Sequence, residues 1–176
     1  MSISLVELAM ESIGDTGADT LVAYHFEEER PLRGLAGHVD WRMNGSLSKM
    51  VQKGVATGRS RDMVLTPGRR QFPVQRILLT GLGKKAAFGG DQFRAASLAT
   101  LRTLLRLPSS HFALELPGGA RHGLSPRAAI EMWLTAYHQT VLNLGVDARV
   151  TLIGTKAEIE DWKDPLHHFQ SQFTRG

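Results

Sequence analysis

Any chemistry in this chain has to come from His, Asp, Glu, Ser or Lys. Cysteine is absent, which excludes disulfides, thiolate nucleophiles and zinc–cysteine sites. Seven histidines stand at 25, 38, 111, 122, 138, 167 and 168, and no two have the His-x-x-x-His spacing with a central Glu that a helical zinc hydrolase needs. His167 and His168 are adjacent, so a helix would point them to different faces. Glu27-Glu28-Glu29 has the charge to hold a divalent cation, but three successive carboxylates at the end of a strand fan outward into water, and the solvated reading is favoured. Ser97 and Ser125 are the serines to consider as nucleophiles. Neither lies in a Gly-x-Ser-x-Gly elbow, and Ser125 precedes Pro126 in the pattern of a helix cap. No catalytic residue, no metal and no other cofactor is expected.

One stretch has a spacing suited to binding. In Thr80-Gly81-Leu82-Gly83-Lys84-Lys85, glycines at the carboxyl end of a strand let backbone amides approach a ligand, and two lysines add positive charge. Gly81, Gly83, Lys84 and Lys85 are therefore the candidate ligand-binding residues, for a phosphate or nucleotide. The stretch lacks the full Gly-x-x-x-x-Gly-Lys-Ser/Thr loop, and the alternative is a plain tight turn. Lys53, Arg59, Arg61, Arg69, Arg70 and Arg76 concentrate positive charge in the middle third, with Arg69 and Arg70 the candidate nucleic-acid contacts. No aromatic residues interleave with them, so a solvated basic face accounts for them better than a nucleic-acid surface. The overall excess, 21 Lys and Arg against 17 Asp and Glu, is too mild to argue for a polyanion partner.

The elements that would position these residues follow from periodicity. Short apolar runs at Ile3 to Leu8, Thr20 to Phe26, Met63 to Leu65, Val74 to Thr80, Phe112 to Leu116 and Val150 to Ile153 read as strands. Val74 to Thr80 is the candidate central one because its apolar character is nearly continuous. Gly14-Asp15-Thr16-Gly17 separates the first two as a turn. Leu35, Val39 and Met43, then Leu47 and Met50-Val51, fit two short helices interrupted at Asn44-Gly45. Asp91 to about Leu107 is an amphipathic helix ended by Pro108. Ser125-Pro126 opens a helix whose stripe runs through Ile130, Trp133, Tyr137, Val141 and Leu144 to Gly145. Thr155 to Glu158 has capping-box spacing for a last helix, which Pro165 is expected to break, leaving Asp164 to cap a final turn. The sum is one three-layer α/β/α domain over residues 1–176, with helices on both faces of a mixed sheet.

With 42% apolar and 22% charged residues the chain is composed like a folded globular protein. It has no apolar run of the roughly 18 residues a membrane span needs, and its start lacks the pattern of a signal peptide. A cytoplasmic location and no membrane association are expected.

Taken in order, Asp19-Thr20-Leu21-Val22, Gly34-Leu35-Ala36-Gly37-His38-Val39-Asp40, Asn44-Gly45-Ser46-Leu47-Ser48 and Arg76-Ile77-Leu78-Leu79-Thr80-Gly81-Leu82-Gly83-Lys84 resemble the amino-terminal domain of M17 leucyl aminopeptidases. The resemblance runs from about Ile3 to Ile153 and implies a macro-domain-like fold. In that family the two-metal peptidase site belongs to a separate carboxyl-terminal domain, whose Asn-Thr-Asp-Ala-Glu-Gly-Arg-Leu segment has no counterpart here. Macro domains bind ADP-ribose with an aspartate at a strand start and glycine-rich loops, and Asp19 and Gly81 to Gly83 hold loosely comparable places. The macro-domain Asn-Ala-Ala-Asn segment is replaced by His25-Phe26-Glu27-Glu28, whose carboxylates would repel a diphosphate. The resemblance implies first a non-catalytic accessory domain with a protein partner. A module for a nucleotide or ADP-ribose-like compound comes second, and a DNA-binding accessory third.

Overall fold

The computed structural model of the chain describes residues 2–68, 72–121 and 123–173. Six strands, β1 (Ser2–Glu7), β2 (Thr20–His25), β3 (Met63–Pro67), β4 (Arg76–Gly81), β5 (His111–Leu114) and β6 (Arg149–Gly154), form one sheet in the order β1-β6-β5-β2-β4-β3. All neighbours are parallel except β3, which runs antiparallel to β4 along the edge. In β2 every residue is buried, and its register places Leu21 beside Ile77 on one side and Ala113 on the other. A parallel strand covered on both faces has no use for polar alternation, which is why β2 and β4 read as nearly continuous apolar runs.

Side chains still alternate between the faces. Leu21, Ala23, Ile77, Leu79, Ala113 and Ile153 point to one layer, where they meet α1 (Met10–Gly14), α2 (Gly34–Arg42) and α3 (Ser46–Gln52) through Ile13, Leu35, Val39 and Leu47. Val22, Tyr24, Leu78, Phe112, Leu114 and Leu152 point to the other, against α4 (Gly90–Leu104), α5 (Pro126–Thr140) and α6 (Lys156–Phe173) through Phe93, Leu101, Trp133, Tyr137 and Trp162. The arrangement is the expected three-layer α/β/α fold with a mixed sheet.

Local chemistry sets the helix boundaries. Ser125 Oγ accepts from the Ala128 amide at 3.2 Å ahead of Pro126. Thr155 and Glu158 close a reciprocal capping box, with the Thr155 amide donating to Glu158 Oε2 at 2.8 Å and the Glu158 amide to Thr155 Oγ1 at 3.3 Å. The Asp40 carboxylate, on α2, takes the Ser48 amide at 2.9 Å and so ties the two short helices together.

Three expectations are corrected. Pro165 does not break the last helix: α6 continues through it to Phe173, and Asp164 is an exposed mid-helix residue rather than a cap. The missing bond to the Asp161 carbonyl is offset by burial of Trp162, Pro165 and Leu166 on either side of the gap. The α5 helix ends at Thr140, and its expected last turn is a separate 3-10 turn, Leu142–Leu144. The first two strands are separated by the single helical turn α1 as well as by a bend, because five residues are too few to show a helical period.

Pro165→Ala is expected to raise stability by roughly 1 kcal/mol, the restored helix bond outweighing the lost ring contacts. Trp162→Ala, which empties a fully buried site, should lower it by about 3–5 kcal/mol. Urea unfolding of the two variants beside the parent checks both, and a destabilised Pro165→Ala would contradict this account of α6.

Candidate functional site

Ligands of open parallel sheets sit outside the carboxyl ends of the strands, above all where neighbouring strands send their connections in opposite directions. Here that point lies between β2 and β5: the chain leaving β2 returns on the β4 side, and the chain leaving β5 proceeds to β6. The residues at this edge are His25, Gly81 and Leu114 with the loops that follow them.

The stretch Gly81 to Lys85 is at this edge, and the amides of Gly81, Leu82, Gly83 and Lys85 are engaged by the protein itself. Gly81 N donates to Asp62 O at 2.7 Å, Leu82 N to His25 O at 3.0 Å and Gly83 N to Gly58 O at 2.8 Å. The Lys85 amide donates to Glu28 Oε1 at 2.8 Å. A Cβ at Gly81 would lie 2.2 Å from the Arg59 carbonyl, so the glycine there admits the crossing segment 57–62 rather than a phosphate. The side chains of Lys84 and Lys85 extend into solvent.

Lys85 also lines a cleft of about 250 Å³ with Phe26, Glu28, Glu29, Arg30 and Arg33. Glu28 is exposed, as expected of this run, and also holds the Lys85 amide, while half-buried Glu29 accepts through Oε2 from the Phe26 amide at 3.2 Å. Among the described residues, the side chains of Arg30, Arg33 and Lys85 have no hydrogen-bonded or ion-paired partner. Three cations without a side-chain partner therefore share one cleft with the carboxylates of Glu28 and Glu29. Arg30 and Arg33 carried no sequence signal, because nothing in a linear pattern joins them to Lys85.

A buried carboxylate lies at the same edge. Glu115 follows β5 directly, is 3% exposed, and accepts from the Leu35 amide in the first turn of α2 at 3.2 Å. Burial pushes the Tyr24 phenol well above its ordinary range against a hydrogen bond to Thr100 Oγ1, and the charge of Glu115 adds to that rise.

Other candidates fall away from this edge. Asp19 precedes β2 at its amino end, where its carboxylate takes the Ser110 and His111 amides at 3.0 and 3.3 Å and the Ser109 hydroxyl. A six-residue strand, roughly 17–20 Å, separates that end from Gly81 to Gly83, so Asp19 cannot line a common site with them. Arg69 and Arg70 lie outside the described residues. Arg76 stands at the amino end of β4 and Arg59 beside its carboxyl end, so these two members of the basic cluster are not one patch. Ser97 donates to the Phe93 carbonyl at 2.9 Å within α4, and Ser125 is the cap of α5. Among the described residues no group of three or more His, Asp or Glu could hold a metal ion, and no helix is long and apolar enough to cross a membrane.

The sheet order, the two helical layers and this edge can now be set beside known proteins. The model of the cytosol aminopeptidase family, N-terminal domain, matches residues 21–142. The chain belongs to this family. A probable cytosol aminopeptidase of Trichormus variabilis is 29% identical over 112 residues, 64% of this chain and 23% of that protein. One from Pseudomonas syringae pv. tomato is 23% identical over 177 residues, 94% of this chain and 36% of that protein. This N-terminal-domain chain thus spans about a quarter to a third of the length of these relatives. Among solved structures it shares its fold with a Trypanosoma brucei macrodomain in complex with ADP-ribose (TM-score 0.73, 17% identity, 93% of this chain and 68% of that one). An Oceanobacillus iheyensis macrodomain with ADP gives a TM-score of 0.67 at 13% identity, over 88% of this chain and 85% of that one. A mutant tomato leucine aminopeptidase gives 0.63 at 19% identity, over 97% of this chain and 36% of that one. The family's N-terminal domain here is macrodomain-like, as the resemblance implied.

Two carboxylates, Asp19 at the amino end of β2 and Asp62 beside the carboxyl end of β4, give the fold an acid dependence. Burial works to raise Asp19, but hydrogen bonds from Ser109, the Ser110 and His111 amides and Thr20 outweigh it and leave the carboxyl below the ordinary 3.8. At Asp62 burial is likewise outweighed by the Thr57 hydroxyl and amide, by the charge of His25 and by the Gly58 amide. A carboxyl lowered on folding contributes stability in full above its unfolded pKa, and that contribution is lost as pH falls through the lower folded value. Unfolding free energy should therefore decline from about pH 4 downward. Asp19→Asn, weaker at neutral pH, should lose less between those limits in a urea series. Parallel curves for parent and variant would contradict this assignment.

Proposed function

We propose that the chain is a non-catalytic binding domain that takes an anionic ligand of the nucleotide class, such as ADP or ADP-ribose, at the cleft of Arg30, Arg33 and Lys85. The observation that carries the reading is the convergence, at the carboxyl edge of a parallel sheet, of three cations that outnumber the two carboxylates lining the same cleft. Macrodomains of the same fold solved with ADP-ribose and with ADP support the ligand class. The carboxylates of Glu28 and Glu29 line the same cleft and oppose part of this positive charge, while backbone amides hold them in place. The cleft seats the phosphates better than a whole nucleotide, since its volume of about 250 Å³ falls below the roughly 300–1,000 Å³ of a full ligand site. Recognition would thus be by side-chain charge, with the amides of Gly81 and Gly83 in a supporting structural role.

Titration calorimetry with ADP and ADP-ribose tests it. The expected result is binding that weakens with added salt and falls about 10- to 100-fold in the Arg30→Ala/Lys85→Ala double variant, as for the loss of two charge-assisted contacts. Lys163→Ala, on the far helix α6, should change nothing. No heat with either compound would sink the proposal.

A second reading, docking onto a separate chain that carries the rest of a cytosol aminopeptidase, is favoured by one observation. An apolar groove of about 480 Å³ runs between α5 and α6, lined by Leu134, Pro165 and Phe169. The curated relatives have roughly two thirds to three quarters of their length beyond what this chain matches, since 23% and 36% of them are covered. Co-elution with such a chain on size exclusion, lost in Phe169→Asp, is the expected outcome. Separate elution of the two wild-type chains would argue against it.

A further inference from the structure

The deepest part of the carboxyl edge, between β2 and β5, already contains an anion, and it belongs to the protein. The α2 helix starts there without a side-chain cap and without an acidic residue in its first turn. Nine residues of aligned peptide dipoles leave partial positive charge and free amides at such a start, the usual setting for a bound phosphate. Glu115, eighty positions later in the chain, supplies the negative group: its Oε2 accepts from Leu35 N at 3.2 Å while the residue is 97% buried. The loop after it folds back over the carboxylate. Gly119 N donates to Leu116 O at 2.7 Å, Gly119 adopts the left-handed conformation (φ 52°) that favours glycine, and a Cβ there would stand 2.8 Å from Glu115 Oε2, so the loop lies close over the carboxylate. Helix start, glycine-bearing loop and topological switch point are the parts of an oxyanion cradle, here assembled around a carboxylate.

We infer that Glu115 is a resident anion that fills this cradle and bars phosphate groups from it, making it the specificity-determining residue of the edge. A phosphate brought to this position would meet a buried negative charge at contact distance, and two like charges there cannot both be kept ionised. The inference does not depend on whether the neighbouring cationic cleft binds a nucleotide.

The test is chemical replacement of the carboxylate by inorganic phosphate. Glu115→Ala and Glu115→Gln are each made in an Arg30→Ala/Lys85→Ala background, so that phosphate held by the cationic cleft cannot imitate the effect. Thermal midpoints are read in chloride buffer with and without phosphate. Glu115→Ala, with space and an uncompensated helix start, should melt lower than its parent and be raised by about 5 °C or more by phosphate. The parent, whose carboxylate is in place, and Glu115→Gln, whose amide fills the space and still offers an acceptor, should each move by no more than about 1 °C. The Leu35 amide resonance of Glu115→Ala should shift on the same titration. Should Glu115→Ala be unfolded in chloride, the expected result is folding on addition of phosphate. A Glu115→Ala protein that phosphate neither stabilises nor folds, or one whose Leu35 amide stays still while distant amides move, would overturn the inference, as would a parent stabilised as much as the variant.

Discussion

Everything in this molecule is arranged around the parallel ladder of β2, flanked by β4 and β5. Every residue from Thr20 to His25 is shielded from water, and the strand pairs with β4 along its whole length and with β5 over Thr20 to Val22. Such a strand requires an apolar layer on each face, and those layers are the two helical groups. It also requires that the chain reach and leave it at opposite edges. Asp19 secures the entry by fastening the start of β5 to the start of β2, and the exits gather at the other edge, where the candidate site lies.

That exit edge has a consistent electrostatic design. Four carboxylates, on Glu28, Glu29, Asp62 and Glu115, each accept from a backbone amide, of Lys85, Phe26, Thr57 and Leu35 respectively. Of these only Glu115 is buried; the four amides they hold are satisfied within the chain. The positive charge of Arg30, Arg33, Lys84 and Lys85 faces outward. An edge of this kind distinguishes ligands by charge and reach rather than by the exact placement of amides.

Much of the fold was legible because the strongest signals were local. The cap at Ser125-Pro126, the box at Thr155 to Glu158 and the continuous apolar run of β4 each act within a few residues, and each stands where the pattern put it. Pro165 misled because its effect depends on whether neighbours are buried, and burial of Trp162 and Leu166 is a property of the assembled layer. The site was less legible for the same reason. The glycines after β4 announced a close approach without saying of what, and the answer, the segment around Gly58 and Arg59, lies more than twenty residues away in sequence. Glu115 occupies the polar phase of the alternation through Phe112, Leu114 and Leu116, where a solvent-facing residue would be assumed. It turns inward because the strand ends at Leu114 and the glycine loop begins.

The pairing of β1 with β6 carries a consequence for how the molecule comes into being. Ser4 and Thr151 touch across a separation of 147 positions, and β1 has no other strand beside it. As the chain emerges from the ribosome, β2, β4 and the antiparallel β3 can assemble early, whereas β1 must wait for a partner made more than 140 residues later. Closing so long a loop costs entropy that no local contact returns in advance, and such connections slow folding. Until β6 is made, then, β1 is an unpaired strand with open hydrogen-bonding edges, a segment of the nascent chain that a chaperone would have to shield.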